Sequence, residues 1–216
     1  MECYDINEGD DYEYTPLAWA AEYGHEEIVK MLVELDVVDL NKPDIIGETP
    51  LLRAVKNGYD GVVKILLGRD EINTDAPDHI GFTPLLYAAE CGDEEMVKLL
   101  LWQEGVDPNY SNYHGKTPLS LAAQGGHEGV VKILLGRDEV NPDKPDNKGR
   151  TPLSYAAWDG HEAVVKMLLQ RDEVNPYRPD NDGQTPLAFA AKAGRQGLIR
   201  ALLRRGVNPN RLDNDG

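Results

Sequence analysis

The sequence TPLSYAAWDGHEAVVKMLL, from Thr151 to Leu169, recurs in related form along almost the whole chain. A self-similar pattern with a period between 20 and 50 residues is typical of a solenoid, in which each unit covers the apolar face of its neighbour. The pattern therefore predicts an all-α solenoid built as one elongated domain. Its copies open every 34 residues, at Thr15, Thr49, Thr83, Thr117, Thr151 and Thr185.

One copy predicts a pair of helices. Thr151 suits the N-cap position, and Pro152 suits the first helical position, where a missing N–H costs nothing. A short helix is expected from Pro152 to about Gly160, a residue that often closes helices. A second helix is expected from Glu162 to Arg171, since it carries apolar residues at helical spacing. These are Val164, Val165, Met167, Leu168 and Leu169.

The residues between one helix pair and the next predict an extended connection. Residues 171–184, RDEVNPYRPDNDGQ, are rich in proline, asparagine, aspartate and glycine. Such residues favour turns rather than helix or strand. We expect the connection to end in a tight turn at residues 180–183, directly before the next helix pair.

The pattern (D/N)xxGxTPLxxAAxxGHxxxVxxLL resembles the ankyrin repeat, a β-turn finger followed by two antiparallel helices. The match covers residues 10–216 and occurs six times. The resemblance implies stacked helix-turn-helix units that grip a protein partner on a concave face. The connections are also similar to those of ankyrin arrays in large multidomain fungal proteins. The histidine that the family places after TPL is replaced, so its hydrogen bonds are expected to be absent, at Ala18, Leu52, Leu86, Ser120, Ser154 and Ala188.

The sequence divides into an acidic N-terminal segment, residues 1–14, and six repeats over residues 15–216. Tyr12 and Tyr14 are expected to cover the edge of the first repeat, because a terminal repeat needs a polar outer face. The last residues, 213–216, match the turn that precedes each further repeat. We therefore expect this chain to be a fragment of a longer protein that continues beyond Gly216.

The charge of the chain is negative and uneven. The net charge is −16, which argues against binding to a nucleic-acid backbone, because such binding needs clustered lysine and arginine. Residues 1–48 hold 14 acidic and two basic side chains, whereas residues 184–216 hold six basic and two acidic ones. Two interpretations remain open: a solvated surface with a charged cap, or a field that steers a partner or a head-to-tail contact between copies.

Two observations bear on the compartment. No stretch approaches the 18 apolar residues that a membrane helix requires. The acidic N-terminus also lacks the basic and apolar regions of a signal peptide. We expect an intracellular protein, in the cytoplasm, that is a monomer or associates weakly with itself.

No catalytic constellation is present in the sequence. His25, His127 and His161 share one repeat position, so they are expected to lie about a repeat apart, too far to bind one metal ion together. Aspartate and glutamate occur mainly where turns and helix starts require them. The sequence therefore predicts a protein that is not an enzyme and that needs no cofactor.

The candidate partner-binding residues are those that vary while the scaffold stays constant, on the turn tips and on the exposed face of the first helices. Many are aromatic or arginine, the types that dominate interface hot spots. For the aromatic residues two after the TPL leucine (Tyr87, Tyr155 and Phe189), packing between neighbouring helices is an equal alternative. The predicted set is Trp19, Tyr23, Ile45, Ile46, Arg53, Lys56, His79, Ile80, Phe82, Tyr87, Tyr113, His114, Lys116, Tyr155 and Trp158.

We interpret the chain as a module that binds a protein or peptide noncovalently. Aromatic and aliphatic anchors would meet an apolar segment, and Arg53, Lys56 and Lys116 would pair with its polar groups. Two alternatives remain. The array is a spacer or autoinhibitory arm of a larger nucleotide-dependent or enzymatic protein, or it assembles end to end through its oppositely charged ends.

Overall fold

The computed structural model describes residues 5–204, and these form twelve α-helices arranged as six stacked pairs. The predicted solenoid is confirmed. The first helices of the pairs are α1 (Pro16–Glu22), α3 (Pro50–Lys56), α5 (Pro84–Cys91), α7 (Pro118–Gly125), α9 (Pro152–Asp159) and α11 (Pro186–Lys192). The second helices are α2 (Glu26–Val33), α4 (Asp60–Leu67), α6 (Glu94–Leu101), α8 (Glu128–Leu135), α10 (Glu162–Leu168) and α12 (Gln196–Arg204).

Each first helix starts as predicted, with threonine at the N-cap and proline at the first helical position. Thr151 Oγ1 accepts a hydrogen bond from Ser154 N at 3.3 Å, and Ser154 Oγ accepts one from Thr151 N at 3.4 Å. Ser120 Oγ donates to the carbonyl of Thr117 at 2.8 Å. Where serine replaces the family's histidine, it therefore bonds within its own helix start.

The second helices end earlier than the sequence suggests. In the fifth repeat α10 ends at Leu168 and Leu169 is its C-cap, three residues before the predicted end at Arg171. The amide of Arg171 instead donates to the carbonyl of Leu168 at 3.1 Å, which turns the chain into the connection. The apolar run extends past the helix because Leu169 packs into the core from the cap position.

The core runs without a break through all six pairs. Leu66, Leu100, Leu134 and Leu168 occupy one position of successive second helices, and each is completely buried. Small alanines such as Ala122 and Ala156 on the first helices are equally buried, which lets neighbouring helices approach closely. Each first helix packs mainly on the first helices before and after it, as α7 packs on α5 and α9.

A finger with an aspartate or asparagine at its base precedes each first helix. Asp146 Oδ1 accepts from the amides of Lys148 and Arg150 at 2.9 and 2.8 Å, and the amide of Gly149 donates to the Asp146 carbonyl. The bases of the other fingers bind in the same way, so the predicted tight turns are confirmed. These bases are Asp10, Asp44, Asp78, Asn112 and Asp180.

The segment before the first helix pair is itself such a finger. Asp10 Oδ1 accepts from the amides of Tyr12 and Tyr14. The carbonyl of Tyr12 then accepts from the amide of Ile45 in the next finger at 3.2 Å. Residues 10–14 thus form the finger of the first repeat and pack on the finger of the second as later fingers do on one another. Residues 213–216, from which a longer chain is expected, lie outside the described residues.

The connections are tied together by an asparagine ladder with the same period. Asn41 Nδ2 donates to the carbonyl of Glu71 at 2.7 Å, while Asn41 Oδ1 accepts from the amide of Asn73 at 2.7 Å. Asn109 makes the equivalent pair of bonds. Asp75 replaces asparagine in this ladder and accepts from the amide of Asp107 at 2.7 Å, but its Oδ1 is buried without a hydrogen-bond partner.

Candidate partner-binding surface

The tips of the fingers form a continuous row along one edge of the array. The amide of each tip donates to the carbonyl of the tip before it, at 2.9 Å from His79 to Ile46 and at 3.4 Å from Tyr113 to Ile80. The side chains of Ile46 and Ile80 are 48% and 55% exposed. Backbone bonds therefore hold apolar side chains in solvent at fixed positions. We call Tyr12, Ile45, Ile46, His79, Ile80, Tyr113 and His114 the finger row, all of them exposed.

An aromatic cleft lies at the N-terminal end of the finger row. The rings of Tyr14 and Trp19 are 4.5 Å apart, and Tyr23 stacks on Trp19 at 5.7 Å. Tyr23 and Trp19 remain exposed. The cleft has a volume of about 320 Å³ and is lined by Tyr12, Tyr14, Trp19, Asp44, Ile45, Ile46 and Arg53.

The predicted hot-spot series two residues after the TPL leucine serves the fold in most repeats. In these repeats its side chain donates to the second carboxylate oxygen of the finger aspartate nine residues earlier. Tyr87 and Tyr155 donate their hydroxyls to Asp78 and Asp146 at 2.9 and 2.7 Å. Trp19 Nε1 donates to Asp10 at 3.2 Å. Leu121 has no donor, and its finger carries Asn112 in place of aspartate.

Arg53 fills this position in the second repeat. It is 4% exposed, and its guanidinium bonds to Asp44, to Glu48 at 3.2 Å and to Glu22 of the preceding repeat at 2.7 Å. Although burial opposes the charge, the hydrogen bonds from Arg53 to Asp44 and Glu22 raise its pKa. The terminal nitrogens of Arg53 are therefore bound inside the chain, and its Nε is buried without a hydrogen-bond partner, so the burial disfavours the partner contact expected from the sequence.

Two further predicted contact residues are buried. Phe82 is 8% exposed and packs against the ring of Tyr87 at 4.8 Å, so it does not extend the exposed strip. Tyr155 is 5% exposed, and its hydroxyl is bound to Asp146. For Tyr155 and Phe189 packing is thus the correct alternative, and Tyr87 is half-buried.

The two predicted lysines already have partners within the chain. Lys56 Nζ bonds to Glu48 and lies 5.0 Å from the ring centroid of Tyr87. Lys116 Nζ donates to Gln124 at 2.7 Å and lies 4.9 Å from the ring centroid of Tyr155. Burial, together with the nearby charge of Arg150, lowers the pKa of Lys116. Each lysine thus uses one of its three N–H donors inside the chain.

The C-terminal part of the surface is polar. Trp158 is exposed and meets the edge of Phe189 at 5.3 Å, at the side of a cleft of about 270 Å³. Charged side chains line the same cleft, so the surface changes from apolar at the early fingers to charged at the last two. These charged residues are Lys148, Arg150, Asp159, Asp180 and Asp182.

The repeated histidines bridge adjacent repeats. His127 Nε2 lies 2.8 Å from the carbonyl oxygen of Glu90, and His161 Nε2 lies 2.9 Å from that of Gln124. In residues 5–204 there is no group of three or more side chains placed to hold a metal ion. No helix of this part of the chain is long and apolar enough to cross a membrane.

Sequence reasoning missed other exposed apolar residues. Trp102 is 86% exposed directly after α6, and Met31 and Val37 lie exposed on or beyond α2. The signal for Trp102 is its departure from the repeat, because Gly68 and Gly136 hold the same position. These residues lie outside the finger row.

The comparisons agree with this architecture. A family model described as ankyrin repeats matches residues 1–78, 36–112, 85–178 and 138–213, which together span nearly the whole chain. The chain belongs to the ankyrin repeat family. A crystal structure of an ankyrin repeat domain from Acinetobacter baumannii AYE is similar, with a TM-score of 0.80 and 28% identity over 88% of this chain and 97% of that chain. No curated protein matches the sequence. Ankyrin repeats are generally non-catalytic modules for protein interaction.

Proposed function

We propose that this ankyrin repeat protein binds an apolar protein segment along its finger row and the adjacent aromatic cleft. One observation carries the proposal: aliphatic side chains stand in solvent on rigid turns where asparagine, aspartate or glycine would suit the turn better. Ile46 and Ile80 are both about half exposed. Contiguous exposed apolar side chains of this kind mark interaction sites.

The geometry explains how such a surface would gain affinity. The finger row is fixed by backbone hydrogen bonds between neighbouring tips, so little conformational entropy is lost when a partner binds. Trp19 and Tyr23 offer flat rings at the end of the row. Burying such anchors at the centre of an interface supplies most of the binding free energy, while the rim contributes little.

The anchors differ from those that the sequence alone suggests. We leave Arg53, Phe82 and Tyr155 out of the proposed contact set, because their side chains are buried. The remaining residues of the predicted set are retained as contacts for an apolar partner. They are Trp19, Tyr23, Ile45, Ile46, Lys56, His79, Ile80, Tyr87, Tyr113, His114, Lys116 and Trp158.

The test selects binders from a displayed random-peptide library with the immobilised chain. Enriched peptides are expected to be rich in apolar residues and to lose at least about tenfold in affinity for a variant with Ile46→Ser, Ile80→Ser and Tyr113→Ser. The three positions are exposed, so the variant should keep the melting temperature of the wild type.

The matched control carries Val37→Ser and Trp102→Ser, two apolar positions outside the finger row that are more exposed than the three substituted ones. Peptide affinity for this control is expected to equal that of the wild type. If the peptides bind the finger-row variant as tightly as the wild type and lose affinity for the control instead, the binding surface lies elsewhere.

A further inference from the structure

The first helix pair exposes side chains whose counterparts are buried in every other pair. Ile28 on α2 is 48% exposed, whereas Val62, at the same position one repeat later, is completely buried. At internal joints a second helix packs on the one before it, as α4 packs on α2 and α8 on α6, whereas α2 has no helix pair before it among the described residues. The remaining counterparts are also buried: Met96, Val130, Val164 and Leu198.

The last helix pair shows the complementary exposure. Leu203 on α12 is 39% exposed, whereas its counterpart Leu169 is 6% exposed under the following repeat. Ala191 on α11 is likewise exposed, and its counterpart Ala157 is buried. The two ends of the array therefore carry the two halves of the contact that joins its repeats internally.

The two ends also carry opposite charge. Glu26 and Glu27 begin α2, and Glu34 follows its last turn. Lys192 ends α11, and Arg200 and Arg204 lie exposed on α12. Opposite fields of this kind orient two molecules before they touch.

Internal joints show which polar contacts such an end-to-end joint would reproduce. Lys56 lies over the ring of Tyr87 in the following repeat, 5.0 Å from its centroid. Lys192 has the repeat position of Lys56, and Trp19 has that of Tyr87. One repeat step beyond α11 therefore places Trp19 of a second copy against Lys192.

A second internal contact transfers in the same way. His127 Nε2 reaches the carbonyl oxygen of Glu90 in the preceding repeat at 2.8 Å. His25 has the repeat position of His127 and is exposed, and Lys192 has that of Glu90. The same step brings the imidazole of His25 in the second copy to the carbonyl of Lys192.

We propose that a second copy of this chain docks its first helix pair on α11 and α12, which continues the stack head to tail. The contact joins unlike surfaces, so each assembly keeps one free surface at either end and can grow.

Sedimentation velocity of the full chain over a range of concentrations tests the proposal. The average mass is expected to rise with concentration. Ile28→Glu and Leu203→Glu, which block the first and the last pair respectively, should each raise the dissociation constant at least about tenfold. Trp102→Glu changes an exposed residue away from both ends and should leave association unchanged.

Mixing the two blocked variants gives the decisive readout. Ile28→Glu keeps an intact last pair and Leu203→Glu keeps an intact first pair, so an equimolar mixture should form a one-to-one dimer although neither variant associates alone. If thermal melting shows that either variant is destabilised, the experiment is repeated with Met31→Glu in place of Ile28→Glu and with Ala191→Glu in place of Leu203→Glu.

Three results would overturn the proposal. The first is a wild-type chain that stays monomeric at every concentration. The second is association of the blocked variants as tight as that of the wild type. The third is a mixture of the two variants that stays monomeric.

Discussion

The hydroxyl of Tyr155 donates a hydrogen bond to Asp146 Oδ2 at 2.7 Å and thereby ties a first helix to the base of its own finger. Asp146 Oδ1 meanwhile accepts from two finger amides. The carboxylate therefore sets the shape of the finger and fixes it to the helix at once. The same arrangement recurs at Asp78 with Tyr87, so the rigidity of the finger row depends on it.

Tyr155→Phe should destabilise the protein by about 1–3 kcal/mol, because it removes a hydrogen bond to a buried charged group. Burial favours the neutral form of Asp146, but the bonds from Tyr155 and Arg150 outweigh it and lower the pKa of Asp146. This stability is present above the unfolded pKa and is lost as pH falls through the folded pKa. Urea denaturation should show the largest difference from the wild type at neutral pH, and a pH-independent difference would contradict this explanation.

Phe189→Tyr should have the opposite effect. Phe189 and Asp180 have the repeat positions of Tyr155 and Asp146, but phenylalanine has no donor. Both residues line the C-terminal cleft, which leaves space for a hydroxyl. We expect a gain of about 0.5–1 kcal/mol in the free energy of unfolding, measured by urea denaturation. A loss would show that the hydroxyl does not reach the carboxylate.

Arg53→Met should cost about 3–5 kcal/mol, because it leaves the buried carboxylate of Asp44 without a cation and leaves Glu48 with Lys56 alone. Asp44 and Glu48 are both buried beside the guanidinium. The control is Arg69→Met, which breaks an exposed pair with Glu71 and should cost less than about 1 kcal/mol. Both variants are measured by thermal and urea denaturation. Equal losses would show that the buried ion pairs of Arg53 contribute no more to the free energy of unfolding than the exposed pair of Arg69.

Asp75→Asn should stabilise the protein by about 1 kcal/mol at neutral pH, since an amide can donate where Asp75 Oδ1 has no partner. Burial raises the pKa of Asp75 against the opposing hydrogen bond from the Asp107 amide. A raised folded pKa means that stability is present below the unfolded pKa and is lost as pH rises through the folded one. The advantage of the variant over the wild type should therefore grow from acidic to neutral pH.

The reverse substitution, Asn41→Asp, is the matched control for the ladder. It removes the bond from Asn41 Nδ2 to the Glu71 carbonyl and should destabilise the protein at neutral pH by a similar amount. The prediction for Asp75 fails if both substitutions shift the urea midpoint in the same direction.

Gly58→Ala and Gly92→Ala separate backbone strain from contact between repeats. Both glycines close first helices in the left-handed region, with φ of 71° and 75°, so alanine at either should cost about 1 kcal/mol. A Cβ at Gly58 meets open space, whereas one at Gly92 collides with the imidazole of His127. Gly92→Ala should therefore lower the melting temperature more, whereas in a His127→Ala background the two glycine substitutions should lower it equally.

The repeat made most of the fold predictable from sequence. Threonine and proline fixed each helix start, and the glycines fixed the ends, because these signals act over a few residues. The role of Tyr155 was not predicted, since its bond depends on how the finger folds back on the helix. The constant spacing of nine residues from Asp146, Asp78 and Asp44 to a donor is the signal that could have identified it.

The candidate surface was less predictable for a related reason. Residue type placed both Arg53 and Ile46 among the candidate contacts, because arginine and large apolar residues both favour interfaces. Only their three-dimensional surroundings distinguish them: three carboxylates surround Arg53, whereas solvent surrounds Ile46. A position at which the sequence varies between repeats can thus be either a candidate partner contact or one member of a side-chain pair inside the chain.

The main contacts of each helix are with its own pair and with the adjacent pairs. Unfolding of a terminal helix pair breaks its contact with one neighbouring pair, whereas unfolding of a central pair breaks contacts with two. Local unfolding is therefore expected to begin at the ends of the array. Amide hydrogen exchange should accordingly be slowest in α5 and α7 and should quicken toward α1 and α11. A ligand that binds several fingers at once would suppress this local unfolding. It would therefore slow amide exchange also in repeats that it does not contact.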